Sequence, residues 1–245
     1  MDAFILVFTL GIMLAIGVPV AYAVGISAII GAWYIDIPLE AVMIQLTSGV
    51  NKFSLLAIPF FILAGAIMAE GGMARRLVDF AGLFVGWIRG GLALVNILAS
   101  TLFGAISGSS VADTASIGSV LIPEMERKGY PRTFGAVLTA SASVQAILVP
   151  PSHNSVLFAI VANTAAVTIP AMFLAGIIPT FVLCGTLIVL CLFSARKNNY
   201  PKEAKIEFRR KVKIALDAIW GLITIVIISG GILSGFFTVS VFRPG

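Results

Sequence analysis

The chain has 245 residues, 59% of them hydrophobic and only 11% charged, with a mean hydropathy of +1.08. That composition leaves too little charge to cover a soluble core, so it excludes an ordinary soluble domain and points to a polytopic membrane protein. The formal charge of +5 does not argue for nucleic acid, because half of the sixteen basic residues fall within residues 196–213, beside a long apolar run, as in a cytoplasmic loop.

Residues 3–35 carry no charge, and Met1-Asp2-Ala3-Phe4 brings no basic leader. The run reads as a retained span and not a cleaved signal, one long transmembrane helix kinked at Gly17-Val18-Pro19. Residues 36–52 carry Leu39, Val42, Met43 and Leu46 at helical spacing, with polar Gln45, Thr47 and Ser48 between them, which predicts a short interfacial helix. A second span over residues 53–69 ends at Glu70-Gly71-Gly72. In residues 73–89, Arg75, Arg76, Asp79 and Arg89 interleave with Leu77, Phe80, Leu83, Phe84 and Trp87, so an amphipathic helix lies on the cytoplasmic membrane surface.

Residues 90–123 are apolar but break at Gly104-Ala-Ile-Ser-Gly-Ser-Ser110. Asp113 is the only carboxylate between Arg89 and Glu124, and basic residues flank both sides: Arg89 before, Arg127, Lys128 and Arg132 after. With both ends cytoplasmic, the segment must re-enter the membrane as a hairpin, its tip at Ser107, Gly108, Ser109 and Ser110 near the midplane. Ser110 and Asp113 have the spacing of a helix start that ties up free N–H groups. A helix C-terminus and a helix N-terminus would then meet at the tip, one suited to a small cation and the other to an anion.

Residues 133–195 contain no Asp, Glu, Lys or Arg, enough for two spans. The first, a broken helix over residues 133–162, is interrupted at Val149-Pro150-Pro151-Ser152-His153-Asn154-Ser155, where two prolines remove two backbone donors near mid-depth. An external loop follows at residues 163–170. The chain returns through residues 171–194, where Cys184 and Cys191, seven residues apart, are about 10 Å from one another on a helix and serve packing, not a disulfide. A basic cytoplasmic loop occupies residues 196–213, and residues 214–237 begin another span.

Backbone that leaves the helix within a bilayer must be satisfied by protein, water or a bound ion. Asp113 is either a cap that shapes the hairpin or a direct ligand, and His153 is either a packing side chain or part of the site. Ser107 and His153 also admit an intramembrane serine hydrolase, with Ser107 as nucleophile and His153 as base. The sequence has neither a metal-ligand cluster of His and Cys nor a phosphate-binding loop.

Several stretches, in order, resemble the large membrane subunit of tripartite ATP-independent periplasmic (TRAP) transporters, the DctM-like family. They are Leu55-Leu-Ala-Ile-Pro-Phe-Phe-Ile-Leu-Ala-Gly65, Arg89-Gly-Gly-Leu-Ala93 with Asn96, Ile106-Ser-Gly-Ser109 with Val111-Ala-Asp113, Ile122-Pro123, Gly129-Tyr130, Pro150-Pro-Ser152 and Leu174-Ala-Gly-Ile-Ile-Pro179. The resemblance implies an all-α integral membrane fold, here the first of two inverted repeats (residues 1–195), with residues 214–245 opening a truncated second one. It implies sodium-coupled import of small organic acids in the bacterial inner membrane, without a cofactor and with Na⁺ as coupling ion. The partners implied are a small membrane subunit, a periplasmic substrate-binding protein and the bilayer, with no nucleic acid. Sodium would be held at Ser107, Gly108, Ser109, Pro150 and Pro151, and the substrate at Ser110, Asp113, Thr114, Ser152, His153 and Asn154. The chain departs from the family pattern at Ala146-Ile147 and after Thr238, and members are about twice as long, which implies a truncated or frameshifted product with half a site.

Overall fold

The computed structural model describes residues 2–51, 55, 57–162, 167–202 and 208–233, and no strand occurs among them. The chain divides into two compact units, residues 1–52 and 53–245.

In the first unit, α1 (Asp2–Ala15) and α2 (Val20–Tyr34) pack against each other, followed by α3 (Leu39–Val50) where the interfacial helix was expected. The single kinked helix expected over residues 3–35 is therefore a hairpin. Gly17 adopts a left-handed conformation, φ 86°, and the Gly17 and Val18 N–H groups donate to the carbonyls of Leu14 and Met13, both at 3.0 Å. That geometry ends a helix before Pro19 could kink it. Each helix is about 21 Å long, and Gly31 approaches Leu6 across the pair.

The second unit is built around α6 (Gly91–Ser107), which buries Leu92, Val95, Ile97, Phe103 and Ile106. Around it pack α4 (Ala57–Glu70), the amphipathic α5 (Met73–Val85), α7 (Ser110–Arg127), α8 (Arg132–Ser143), α9 (Gln145–Leu148), α11 (Ile169–Lys197) and α12 (Phe208–Leu233), while α10 (His153–Ala162) packs on α4, α9 and α11. Residues 53, 54 and 56, at the start of the expected second span, lie outside the described residues. On α5, Ala74, Leu77, Val78 and Ala81 form the buried face, and Arg75, Arg76 and Asp79 stay exposed. Small residues permit the closest approaches: a Cβ on Gly104 would stand 2.6 Å from the Ala146 Cα.

Helices α6 and α7 form the expected hairpin, but it does not end at Pro123. Pro123 lies inside α7, which continues to Arg127 and stops where Gly129 turns left-handed. The expected broken helix is present as α8 and α9 followed by α10, bent by 48°. The predicted basic loop over residues 196–213 is largely helical at its ends: Arg196 and Lys197 close α11, and Arg209, Arg210, Lys211 and Lys213 open α12. The expected loop at 163–170 is described only from residue 167, where Thr168 caps α11 by accepting from the Ala171 N–H at 3.3 Å. The last twelve residues lie outside the described set. Cys184 and Cys191 are both free, as expected from their spacing.

Four helices end the same way. Gly17, Asp36, Gly129 and Asn199 all have positive φ, and two residues after each stands Pro19, Pro38, Pro131 or Pro201. Two of these stops meet: the rings of Tyr130 and Tyr200, each between its left-handed residue and its proline, have centroids 4.2 Å apart. The Gly90 N–H donates to the Pro201 carbonyl at 3.3 Å. The start of α6, the end of α7 and the end of α11 are thus gathered at one end, with Arg89, Arg127, Lys128, Arg132, Arg196 and Lys197. The hairpin leaves from the side it entered.

Large apolar side chains face outward, among them Trp33, Phe181 and Trp220, the pattern of a surface solvated by lipid. Helix α11, with 29 residues, and the 23-residue stretch Arg209–Gly231 are long and apolar enough to cross a membrane.

A Leu6→Cys/Gly31→Cys pair, in a background with Cys184 and Cys191 replaced by Ala, is expected to form an intramolecular disulfide, because the two Cβ positions are 3.8 Å apart. A single helix would hold them about 37 Å apart, and failure to cross-link would restore that reading. Gly104→Val is expected to cost about 1–3 kcal/mol of stability, seen as a lower melting temperature.

Candidate functional site

Two helix breaks face each other in the second unit. At the first, Gly108 ends α6 with φ 60° and its N–H donates to the Gly104 carbonyl at 2.8 Å. Ser109 then caps α7, its Oγ accepting from the Ala112 N–H at 3.4 Å. This corrects the cap assigned to Ser110 and Asp113: Ser110 is the first residue of α7, and Asp113 does not reach back to the helix start. Ser107 Oγ accepts from the Ser109 N–H at 3.4 Å and donates to its carbonyl at 3.5 Å, tying the turn to itself.

At the second break, α9 stops at Leu148 and Pro150-Pro151 carries the chain to Ser152, whose carbonyl accepts the Val156 N–H of α10 at 3.2 Å. A Cβ added to Gly108 would stand 3.2 Å from the Pro151 carbonyl oxygen and 3.3 Å from both the backbone nitrogen and Nδ1 of His153. Only a glycine lets the hairpin tip approach the broken helix this closely. The ends of α6 and α9 and the starts of α7 and α10 converge there, mixing carbonyl-rich and N–H-rich helix termini. Gly65 of α4 and Gly176 of α11 close the back, the first against Ser107 and the second against the Leu148 carbonyl.

The expected site residues do not all join this cluster. Ser107, Gly108, Pro151 and Ser152 are buried at the junction, and Ser109, Ser110, Pro150 and His153 line it half-buried. The Pro150 carbonyl already accepts from Ser229 Oγ of α12 at 3.2 Å. Thr114 is half-buried and donates to the Ser110 carbonyl at 2.8 Å, and Asn154 is exposed. Asp113 is fully buried one turn along α7. The hydroxyls of Ser100 and Ser143 lie beside its carboxyl. Ser143, however, donates to the Thr139 carbonyl at 2.8 Å, and neither carboxylate oxygen receives a well-formed hydrogen bond from a described residue.

The polar interior extends beyond the residues singled out from sequence. Asn96 donates to Thr139 Oγ1 at 2.7 Å, and Thr101 donates to Gln145 Oε1 at 2.6 Å. Asn96 and Ser100 on α6, and Thr139 and Ser143 on α8, are pairs four residues apart on facing helices. That spacing in otherwise apolar segments was the available signal. Ser107 Oγ and His153 make no hydrogen bond, Ser107 being engaged by Ser109 and His153 Nδ1 having no partner among the described residues. The nucleophile and base required by the hydrolase alternative are not paired. No group of three or more His, Cys, Asp or Glu that could hold a metal ion occurs among the described residues.

The profile of the family described as tripartite ATP-independent periplasmic transporter, DctM component, matches residues 7–241. The chain is 36% identical to the C4-dicarboxylate TRAP transporter large permease protein DctM of Rhodobacter capsulatus, across 97% of this chain and 57% of that protein. It is 39% identical to the protein of the same name from Vibrio cholerae, across 96% and 52%. With the sialic acid TRAP transporter large permease protein SiaM of Vibrio cholerae it shares 41% identity across 79% and 45%. The chain spans about half the length of the curated relatives it matches. The family is one of transporters and not of enzymes. With its hairpin, its broken helix and a match along nearly its whole length, this multi-pass membrane chain belongs to the DctM component family of tripartite ATP-independent periplasmic transporters.

Proposed function

We propose that this chain forms half of the substrate pathway in the large membrane subunit of a sodium-coupled importer of small organic acids, in the bacterial inner membrane. The observation that carries the proposal is the approach of Gly108 to Pro151 and His153, which places two helix breaks in one spot. Relatives named for C4-dicarboxylates and sialic acid support an acidic substrate, a dicarboxylate, keto acid or sugar acid. The tripartite family supports two partners, a small membrane subunit and a periplasmic substrate-binding protein.

In this reading Na⁺ takes hard oxygen ligands from the hydroxyls of Ser107 and Ser109 and the carbonyls of Gly108, Pro150 and Pro151. The substrate carboxylate faces the N-terminal ends of α7 and α10, near Ser110, Thr114, Ser152, His153 and Asn154, where the helix dipoles favour negative charge. Asp113 supports the hairpin from behind. The ion draws the tip and the break together and so preforms the anion site, which couples the two bindings. A second repeat opposite this one completes the enclosure, and this repeat alone binds substrate weakly.

Sodium, but not potassium, is expected to raise the melting temperature of the purified chain, and Ser107→Ala/Ser109→Ala is expected to abolish the response. Equal melting in the two salts would sink the assignment. Gly108→Ala forces a Cβ into a left-handed position and against Pro151, and is expected to cost about 1–2 kcal/mol and to remove the sodium response. A Gly108→Ala variant that keeps a normal sodium response would show that the two breaks need not touch for the ion to bind.

A further inference from the structure

A cavity of about 260 Å³ lies between the start of α5 and the last turns of α7, away from the hairpin tip. It is lined by Arg75 from α5 and by Ser119, Val120, Pro123, Glu124 and Arg127 from α7. The α7 residues fall at spacings of one, four, five and eight from Ser119, one continuous helix face. Arg75 and Arg127 are exposed and Glu124 is half-buried. Arg75 lies near Asp79 one turn along α5, and Arg127 and Glu124 line the same cavity.

Two guanidinium groups and one carboxylate in one pocket suit a ligand that carries a phosphate and a primary ammonium a few ångströms apart. Guanidinium forks bind phosphate oxygens through charge-assisted hydrogen bonds, and an ammonium can donate to Glu124. Val120 and Pro123 supply apolar wall for the atoms next to the phosphate. The position selects a lipid over a solute. Helix α5 is amphipathic, it and the following turn expose Phe84 and Trp87, and the cavity lies by Arg127 at the basic end of the unit, where lipid headgroups lie. We propose that this cavity binds the headgroup of a phosphoethanolamine lipid, with Arg75 and Arg127 on the phosphate and Glu124 on the ammonium. The lipid bridges the start of α5 to the last turns of α7.

Native mass spectrometry of the full chain, titrated with phosphatidylethanolamine, phosphatidylcholine and phosphatidylglycerol of identical acyl chains, tests this. Phosphatidylethanolamine is expected to bind about tenfold more tightly than phosphatidylcholine, whose quaternary ammonium cannot donate to Glu124. Glu124→Gln is expected to erase that preference while phosphatidylglycerol binding survives, and Arg75→Gln/Arg127→Gln to weaken both lipids. Equal binding of the ethanolamine and choline lipids, or a preference that neither variant changes, would overturn the proposal. Competition by soluble glycerophosphoethanolamine at concentrations equal to the lipid would assign the cavity to a free phosphate ester instead, and would overturn the lipid reading.

Discussion

The contact between Gly108 and the backbone at Pro151 and His153 is the constraint on which the rest of the second unit depends. A helix broken inside a bilayer exposes N–H and C=O groups that hydrocarbon cannot satisfy. Placing two breaks together lets each present its polar ends to the other and to whatever binds between them, so neither faces lipid. That arrangement needs a residue without a side chain at the tip and close helix packing behind it. Gly65, Gly104 and Gly176 meet the second need, each allowing backbone to approach backbone.

Around that contact polar side chains share the interior with the apolar core. Asn96, Ser100, Asp113, Thr139, Ser143, Gln145 and Ser152 are buried, while many large apolar side chains are outside. Lipid removes the incentive to hide apolar groups, and it raises the cost of exposing polar ones. Asn96 and Ser100 on α6, Asp113 on α7 and Thr139 and Ser143 on α8 are enclosed between these helices, and the bond from Asn96 to Thr139 holds α6 and α8 in register. Asp113 is the member with the most at stake, since an ionised carboxylate without well-formed donors is expensive at such depth.

The other organising device is the helix stop made from a left-handed residue, one intervening residue and a proline. At Gly129 and Asn199 the intervening residues are Tyr130 and Tyr200, which pack ring against ring and draw the base of the hairpin to the end of α11. A local backbone signal thereby sets a tertiary contact between segments seventy residues apart. The same device at Gly17 converts one apolar run into two helices, because a left-handed residue ends the hydrogen-bond ladder before the proline can bend it.

Class, helix content and the sites of helix interruption were legible in the sequence, because they follow from properties intrinsic to residues. Low charge excludes a soluble core, and glycine and paired prolines break helices. The apolar spacing in α5 marks an amphipathic helix, but of the residues it singles out only Leu77 is buried, while Phe84 and Trp87 are exposed and Ala74, Val78 and Ala81 complete the buried face. Less of the candidate site could be read. The tip and the Pro-Pro turn stand out as breaks, but Gln145 has no local signature, the four-residue spacing of Asn96 with Ser100 and of Thr139 with Ser143 does not say which helices face each other, and Asp113 stayed open between a cap and a direct ligand. Only the tertiary structure decided that residues 3–35 fold back on themselves, that Asp113 is enclosed by α6, α7 and α8, and that Gly108 rests on His153. Each of these depends on surfaces brought together from segments distant in the chain, and periodicity along one segment says nothing about which other segment it will meet.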